Sequence, residues 1–171
     1  MNVVALFLVG LILLALQTTA FRYLGLSFLR APLVLPLVLF ASFRLERIQG
    51  LILAFFLGYA SDLYGGGAKG VGPLVMLLLC LAGHWMRRGL LLRGSWALGL
   101  MAGPFGFFHG LLLLSIGALV EGGPWLEDVH PTQLLLQAGV LGTLGPGIVW
   151  LCGTTHEFIR TSFGKNRHRR S

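Results

Sequence analysis

Gly58-Tyr59-Ala60-Ser61-Asp62-Leu63-Tyr64-Gly65-Gly66-Gly67-Ala68-Lys69-Gly70-Val71-Gly72-Pro73 lies between two apolar runs, Ile48 to Phe56 and Leu74 to Ala82. It holds one carboxylate and six glycines in sixteen residues. A lone acid at the edge of an apolar span is costly unless something answers its charge. Glycines let the backbone take positive φ or approach another group closely. The stretch therefore reads either as a tight re-entry turn with a locked acidic hinge or as a recognition element.

The surrounding composition decides the class. Of 171 residues, 56% are hydrophobic and 11% charged, against about 25% charged in ordinary soluble domains. A chain of this length cannot hide so much apolar surface from water. In lipid the backbone must bond to itself, which leaves helices or a closed barrel. The apolar runs are continuous and not alternating, so an all-α integral membrane protein is expected.

Six apolar segments are visible: Val3 to Leu16, Leu24 to Phe43 (interrupted by Arg30 and bent by Pro32 and Pro36), Ile48 to Leu63, Val71 to Trp85, Trp96 to Val120, and Leu134 to Phe158. The reading is one six-transmembrane-helix bundle over residues 1–163 and a basic cytoplasmic tail over 164–171. The third and fourth segments are short for a hydrocarbon core of roughly 30 Å. The N-terminus lacks the basic residues of a secretory leader, so the first span is expected to be retained.

Basic residues set the orientation. With both termini cytoplasmic, Arg44, Arg47, Arg87, Arg88, Arg93, Arg160, Lys165, Arg167, Arg169 and Arg170 lie inside, and Arg22, Arg30 and Lys69 outside: ten against three of the 13 Lys and Arg. The net charge of +7 is then a topology signal, and no nucleic-acid partner is expected. Lys165, Arg167, Arg169 and Arg170 are expected to contact lipid headgroups at the cytoplasmic surface. Trp85, Trp96 and Trp125 fall near span ends, as in an aromatic belt.

The fifth segment carries Gly99, Gly103, Gly106, Gly110 and Gly117. At ~100° per residue these lie within roughly 40° of one line. Small residues let helices meet closely in lipid. The stripe is either an internal helix–helix contact or a docking face for another protein's helix. Pro104, off the stripe, is expected to kink the span. His109 beside it is expected to be neutral and hydrogen-bonded to a neighbouring helix.

Asp62 ends the third span, at the wrong end of that helix's dipole. Backbone N–H groups of Gly65, Gly66 and Gly67 are the expected donors, through an Asx-type turn; partner contact is the other reading. Glu157 and Arg160 are spaced to pair on one helix face. Cys80 and Cys152 sit in apolar runs and read as small buried hydrophobes. The glycine-rich run lacks the GxxxxGK[ST] order of a phosphate loop. No nucleophile–base set, paired acids or metal-ligand spacing is present, so neither a reaction nor a cofactor is expected.

Residues 12 to 93 resemble the MreD family of rod shape-determining proteins. The resemblance rests on Ala15-Leu16-Gln17-Thr18-Thr19 at the end of the first helix and Pro32 opening the second. An Arg-containing turn with Gly50 opens the third. Phe55-Phe56-Leu57-Gly58-Tyr59-Ala60-Ser61-Asp62-Leu63 matches the family's Gly-Phe-x-x-Gly-x-x-x-Asp stretch. The glycine-rich loop and the Arg87-Arg88 exit follow. Where the family often has Pro-Asp, here Leu33 follows Pro32. Beyond Trp96 only hydropathy matches.

The resemblance implies a non-enzymatic scaffold of the bacterial elongation machinery in the inner membrane. Its partners would be MreC, the glycosyltransferase RodA, a class B penicillin-binding transpeptidase and MreB. It also implies a fold similar to the substrate-binding S-components of energy-coupling-factor transporters. The single transmembrane helix of MreC would dock on the glycine stripe or on the face around Asp62 and Gly65 to Gly67. The alternative is a vitamin-like small-molecule binder of a transporter, with Tyr23, Tyr59, Tyr64, Trp125 and His130 lining a pocket near the outer surface. Against it, the first span has no Ala-x-x-x-Ala pair for an energising subunit.

Overall fold

The structure, a computed structural model, describes residues 3–23, 32–65, 70–87, 95–121 and 131–164. Their regular structure is helical throughout: α1 (Val3–Tyr23), α2 (Leu35–Arg44), α3 (Arg47–Gly65), α4 (Val71–Met86), α5 (Ser95–Leu100), α6 (Ala102–Glu121) and α7 (Pro131–Gly164). Met101 alone separates α5 from α6. Its N–H bonds to the Ala97 carbonyl and its carbonyl accepts from Phe105 N–H, both at 3.1 Å. The two pieces are thus continuous through these bonds. The break between them falls where Pro104 has no N–H to give the Leu100 carbonyl.

The described residues thus contain six helical rods in the order expected, with different lengths. The stretches Ala97–Leu119 and Thr132–Thr154, 23 residues each, are long and apolar enough to cross a membrane. Helix α7 runs for 34 residues, ~50 Å at 1.5 Å per residue. The largest departure is the second segment. In place of a helix over Leu24 to Phe43, α2 has 10 residues, ~15 Å. Residues 24–31 lie outside the described residues.

That short helix is the centre of the bundle. Every residue from Leu35 to Ser42 is buried, and α3, α4, α5, α6 and α7 all pack on it. A helix apolar on all sides has no solvent face to present, so it is enclosed. Val34, Leu37, Val38, Phe40 and Ala41 join Leu53, Ala54 and Leu57 of α3 and Met76 and Cys80 of α4 in one cluster. Leu35 and Leu39, on the other side of α2, meet Val75 and Leu79 of α4 and Phe105 of α6. Helix α1 packs chiefly on α3, with Phe7 edge-on to Phe56 at 6.2 Å.

Helices α3 and α4 form a close hairpin, in which backbone meets backbone. A Cβ at Gly58 would lie 2.7 Å from Pro73 Cα and 2.9 Å from the Gly72 carbonyl. No side-chain rotation relieves such a contact. Gly58→Ala therefore forces the two helices apart and is expected to lower stability by about 1–3 kcal/mol. Gly139→Ala, where a Cβ meets nothing within 4 Å, is expected to leave stability unchanged or slightly raised. Thermal unfolding of the two purified variants in detergent compares them; equal midpoints would refute the close crossing.

Candidate functional site

Asp62 lies in the last turn of α3, and the start of α4 comes back against it. Its Oδ2 accepts from Gly70 N–H at 2.9 Å and from Gly72 N–H at 3.1 Å. Gly70 has φ +100°, a left-handed conformation that turns the chain into α4. Glycine takes it without strain. At Gly72 a Cβ would collide with the Asp62 carboxylate and sit 2.9 Å from the Gly58 carbonyl. One acid and three glycines thus form a single junction.

This corrects the expected donors. Gly65 is the last residue of α3, Gly66 and Gly67 lie outside the described residues, and the observed donors are eight and ten residues on from Asp62. The physical reason is orientation. The first N–H groups of a helix have no intrahelical partner, and they carry the positive end of its dipole. Asp62 is misplaced for α3 and correctly placed for α4, and the antiparallel hairpin brings the two ends together.

A second side-chain bond ties α1 to the turn that precedes α2, and sequence reasoning missed it. Leu33 N–H donates to Gln17 Oε1 at 2.9 Å. Thr18 and Thr19 instead bond back to carbonyls of their own helix at Leu14 and Ala15. Gln17 was the available signal, as the first amide side chain after the apolar run that opens α1.

The glycine stripe is occupied within the chain at four of its five positions. A Cβ at Gly99 would strike Pro146, and at Gly103 it would lie 3.2 Å from the Ala138 carbonyl. At Gly106 it would meet Leu141, and at Gly110 it would meet Leu134 and the Gln137 amide. All of these belong to α7. The stripe thus serves the internal contact, and α7 stands where a partner helix was envisaged. Of the five, Gly117 alone meets nothing within 4 Å among the described residues. His109 is buried beside the stripe, its Nδ1 3.3 Å from Gln137 Nε2 across the same interface.

Tyr23, Tyr59 and Tyr64 are all exposed. They face outward and do not converge on a pocket; Trp125 and His130 lie outside the described residues. So do Lys165, Arg167, Arg169 and Arg170, and the side chains of Glu157 and Arg160. Cys80 and Cys152 are both buried. Among the described residues no three His, Cys, Asp or Glu side chains gather as a metal would require.

The two side-chain ties are expected to be separable in energy. Asp62→Ala removes an acceptor shared by two N–H groups and should cost roughly 1–2 kcal/mol. Asp62→Asn keeps an oxygen and should cost less. Gln17→Leu should cost about 1 kcal/mol. The ties share no partner, so the double variant should equal the sum within about 0.5 kcal/mol. Unfolding of the four variants in one detergent measures this; a full-strength Asp62→Ala protein would show that the cap is idle.

Comparison with protein-family models, with curated proteins and with solved structures finds no match to this chain.

Proposed function

We propose that this chain is a multi-pass protein of the bacterial inner membrane, a six-helix bundle of the MreD kind with both termini in the cytoplasm. It performs no reaction. It serves as a scaffold of the cell-elongation machinery by binding the transmembrane helix of MreC. Within the larger assembly it stands beside RodA, a class B penicillin-binding transpeptidase and MreB, and so supports peptidoglycan synthesis and cell shape.

The observation that carries this reading is an apolar exterior around an apolar core. Large apolar side chains stand exposed along α1 (Val4, Ile12), α3 (Ile48, Phe56) and α7 (Leu135, Trp150). The polar side chains Gln17, Asp62 and Gln137 bond between segments, half-buried or buried. A lipid setting accounts for both: it tolerates the apolar exterior and requires internal partners for polar groups. The motif that resembles the family, Gly58 to Asp62, coincides with a close backbone crossing and its cap. That supports a rigid helical body, as a scaffold requires.

Because α7 fills most of the stripe, the docking surface has to lie elsewhere on the exterior, and Gly117 is the stripe position still open. Gly103→Leu is expected to disturb the α6–α7 contact and lower the melting midpoint. Gly117→Leu is expected to insert and fold normally and to reduce co-purification with an MreC-type bitopic protein several-fold. Full recovery of that partner with Gly117→Leu would exclude this position from the docking face. Failure of the wild-type chain to co-purify with any such protein would sink the scaffold reading.

A further inference from the structure

The corner between α2 and α3, together with the end of α4, forms a cationic patch that the scaffold reading does not use. Arg44 closes α2 and Arg47 opens α3, with only Leu45 and Glu46 between them. Arg87, just past α4, reaches across and donates from Nη1 to the Leu45 carbonyl at 3.3 Å. Three guanidinium groups are thereby gathered at one end of the bundle, all exposed. Among the described residues Glu46 is the one carboxylate in this stretch, so two positive charges stand in excess there. Among the described residues Arg44 and Arg47 have no ion-pair partner.

Helix stability does not account for all of this charge. Arg44 and Arg87 lie at helix C-termini, where a cation is favourable. Arg47 is the first residue of α3, where a cation opposes the dipole. An anion at this corner would satisfy the α3 N-terminus and the guanidinium groups together. The flank of the patch is apolar: Trp85 is 78% exposed and Ile48 73%. A cationic rim over an exposed indole and an aliphatic side chain matches a phospholipid, with acyl chains on the flank and phosphate on the rim. Guanidinium binds phosphate oxygens in pairs, and Arg87 is already held in place by its backbone bond.

We infer that the α2–α3 corner, through Arg44, Arg47 and Arg87, binds the phosphate headgroup of an anionic phospholipid. The inference rests on the membrane reading above. The purified full-length chain in detergent is titrated with cardiolipin and, separately, with phosphatidylcholine of the same acyl chains, and bound lipid is measured by native mass spectrometry. Cardiolipin should be retained at least tenfold better. Arg44→Gln, Arg47→Gln and Arg87→Gln should each weaken it about fivefold. Glu46→Gln should tighten it by a similar factor, a gain that misfolding cannot produce. Preference unmoved by all four variants overturns the site. Displacement of cardiolipin by millimolar inorganic phosphate also overturns it, in favour of a soluble anion. Alkaline carbonate extraction separates the two readings. A chain released to the supernatant sinks the membrane reading, whereas an embedded chain with no lipid preference sinks the headgroup site alone.

Discussion

The first N–H groups of a helix have no partner within it, and the rest of this structure depends on how they are answered. At α4 the answer is Asp62 Oδ2, which takes Gly70 and Gly72 N–H together. In the turn just before α2, Gln17 Oε1 takes Leu33 N–H. Each acceptor comes from the last turns of the preceding helix, so each also fixes the angle at which the chain returns. In the proposed lipid setting, water is not at hand to do this work, and an unanswered donor costs several kcal/mol. The junction at Asp62 also explains why Gly72 tolerates no side chain: the carboxylate occupies that space.

Close approach is the second constraint, and it follows from the first. With α3 and α4 pinned at one end, Gly58 lets the backbones touch, and at the other end His84 lies 3.0 Å from where a Gly50 Cβ would be. The α6–α7 pair repeats the device over a longer distance, with Gly99 against Pro146 and Gly103 against Gly142. Apolar burial gives little net drive between helices in lipid. Association must come from dispersion at short range and from a few hydrogen bonds such as His109–Gln137.

Much of this was legible in the sequence, for reasons that also mark where it stopped. Continuous apolar runs revealed the number and order of the helices, because burial or lipid on all sides removes the need for alternation. The need for a partner at Asp62 was legible from the dipole argument. The donors were not, because Asx-turn reasoning looks two or three residues ahead and the real donors came from the returning helix. The alignment of the stripe was visible, yet a helical wheel does not show what lies against a face. The complementary signal was Ala138, Gly142 and Gly145 at spacings of four and three on α7. The brevity of α2 was hidden by the unbroken apolar character of Leu33 to Phe43. Pro36 held the clue, since proline favours the first turn of a helix.

A central helix of 10 residues has consequences for what the outside can do. Buried from Leu35 to Ser42, α2 offers the exterior little beyond Arg44 at its end, and its neighbours are fixed against it and against one another. The stripe is likewise consumed between α6 and α7. Under the proposed scaffold reading, a second protein's helix would meet an exterior whose shape is set from within, where exchanging lipid for protein gains little except through fit. Rigidity inside therefore becomes specificity outside: Phe55, Phe56 and Tyr59 hold fixed positions along α3 because Gly58 and the Asp62 cap fix that helix. Loosening the interior would blur the surface without touching any residue that meets the partner.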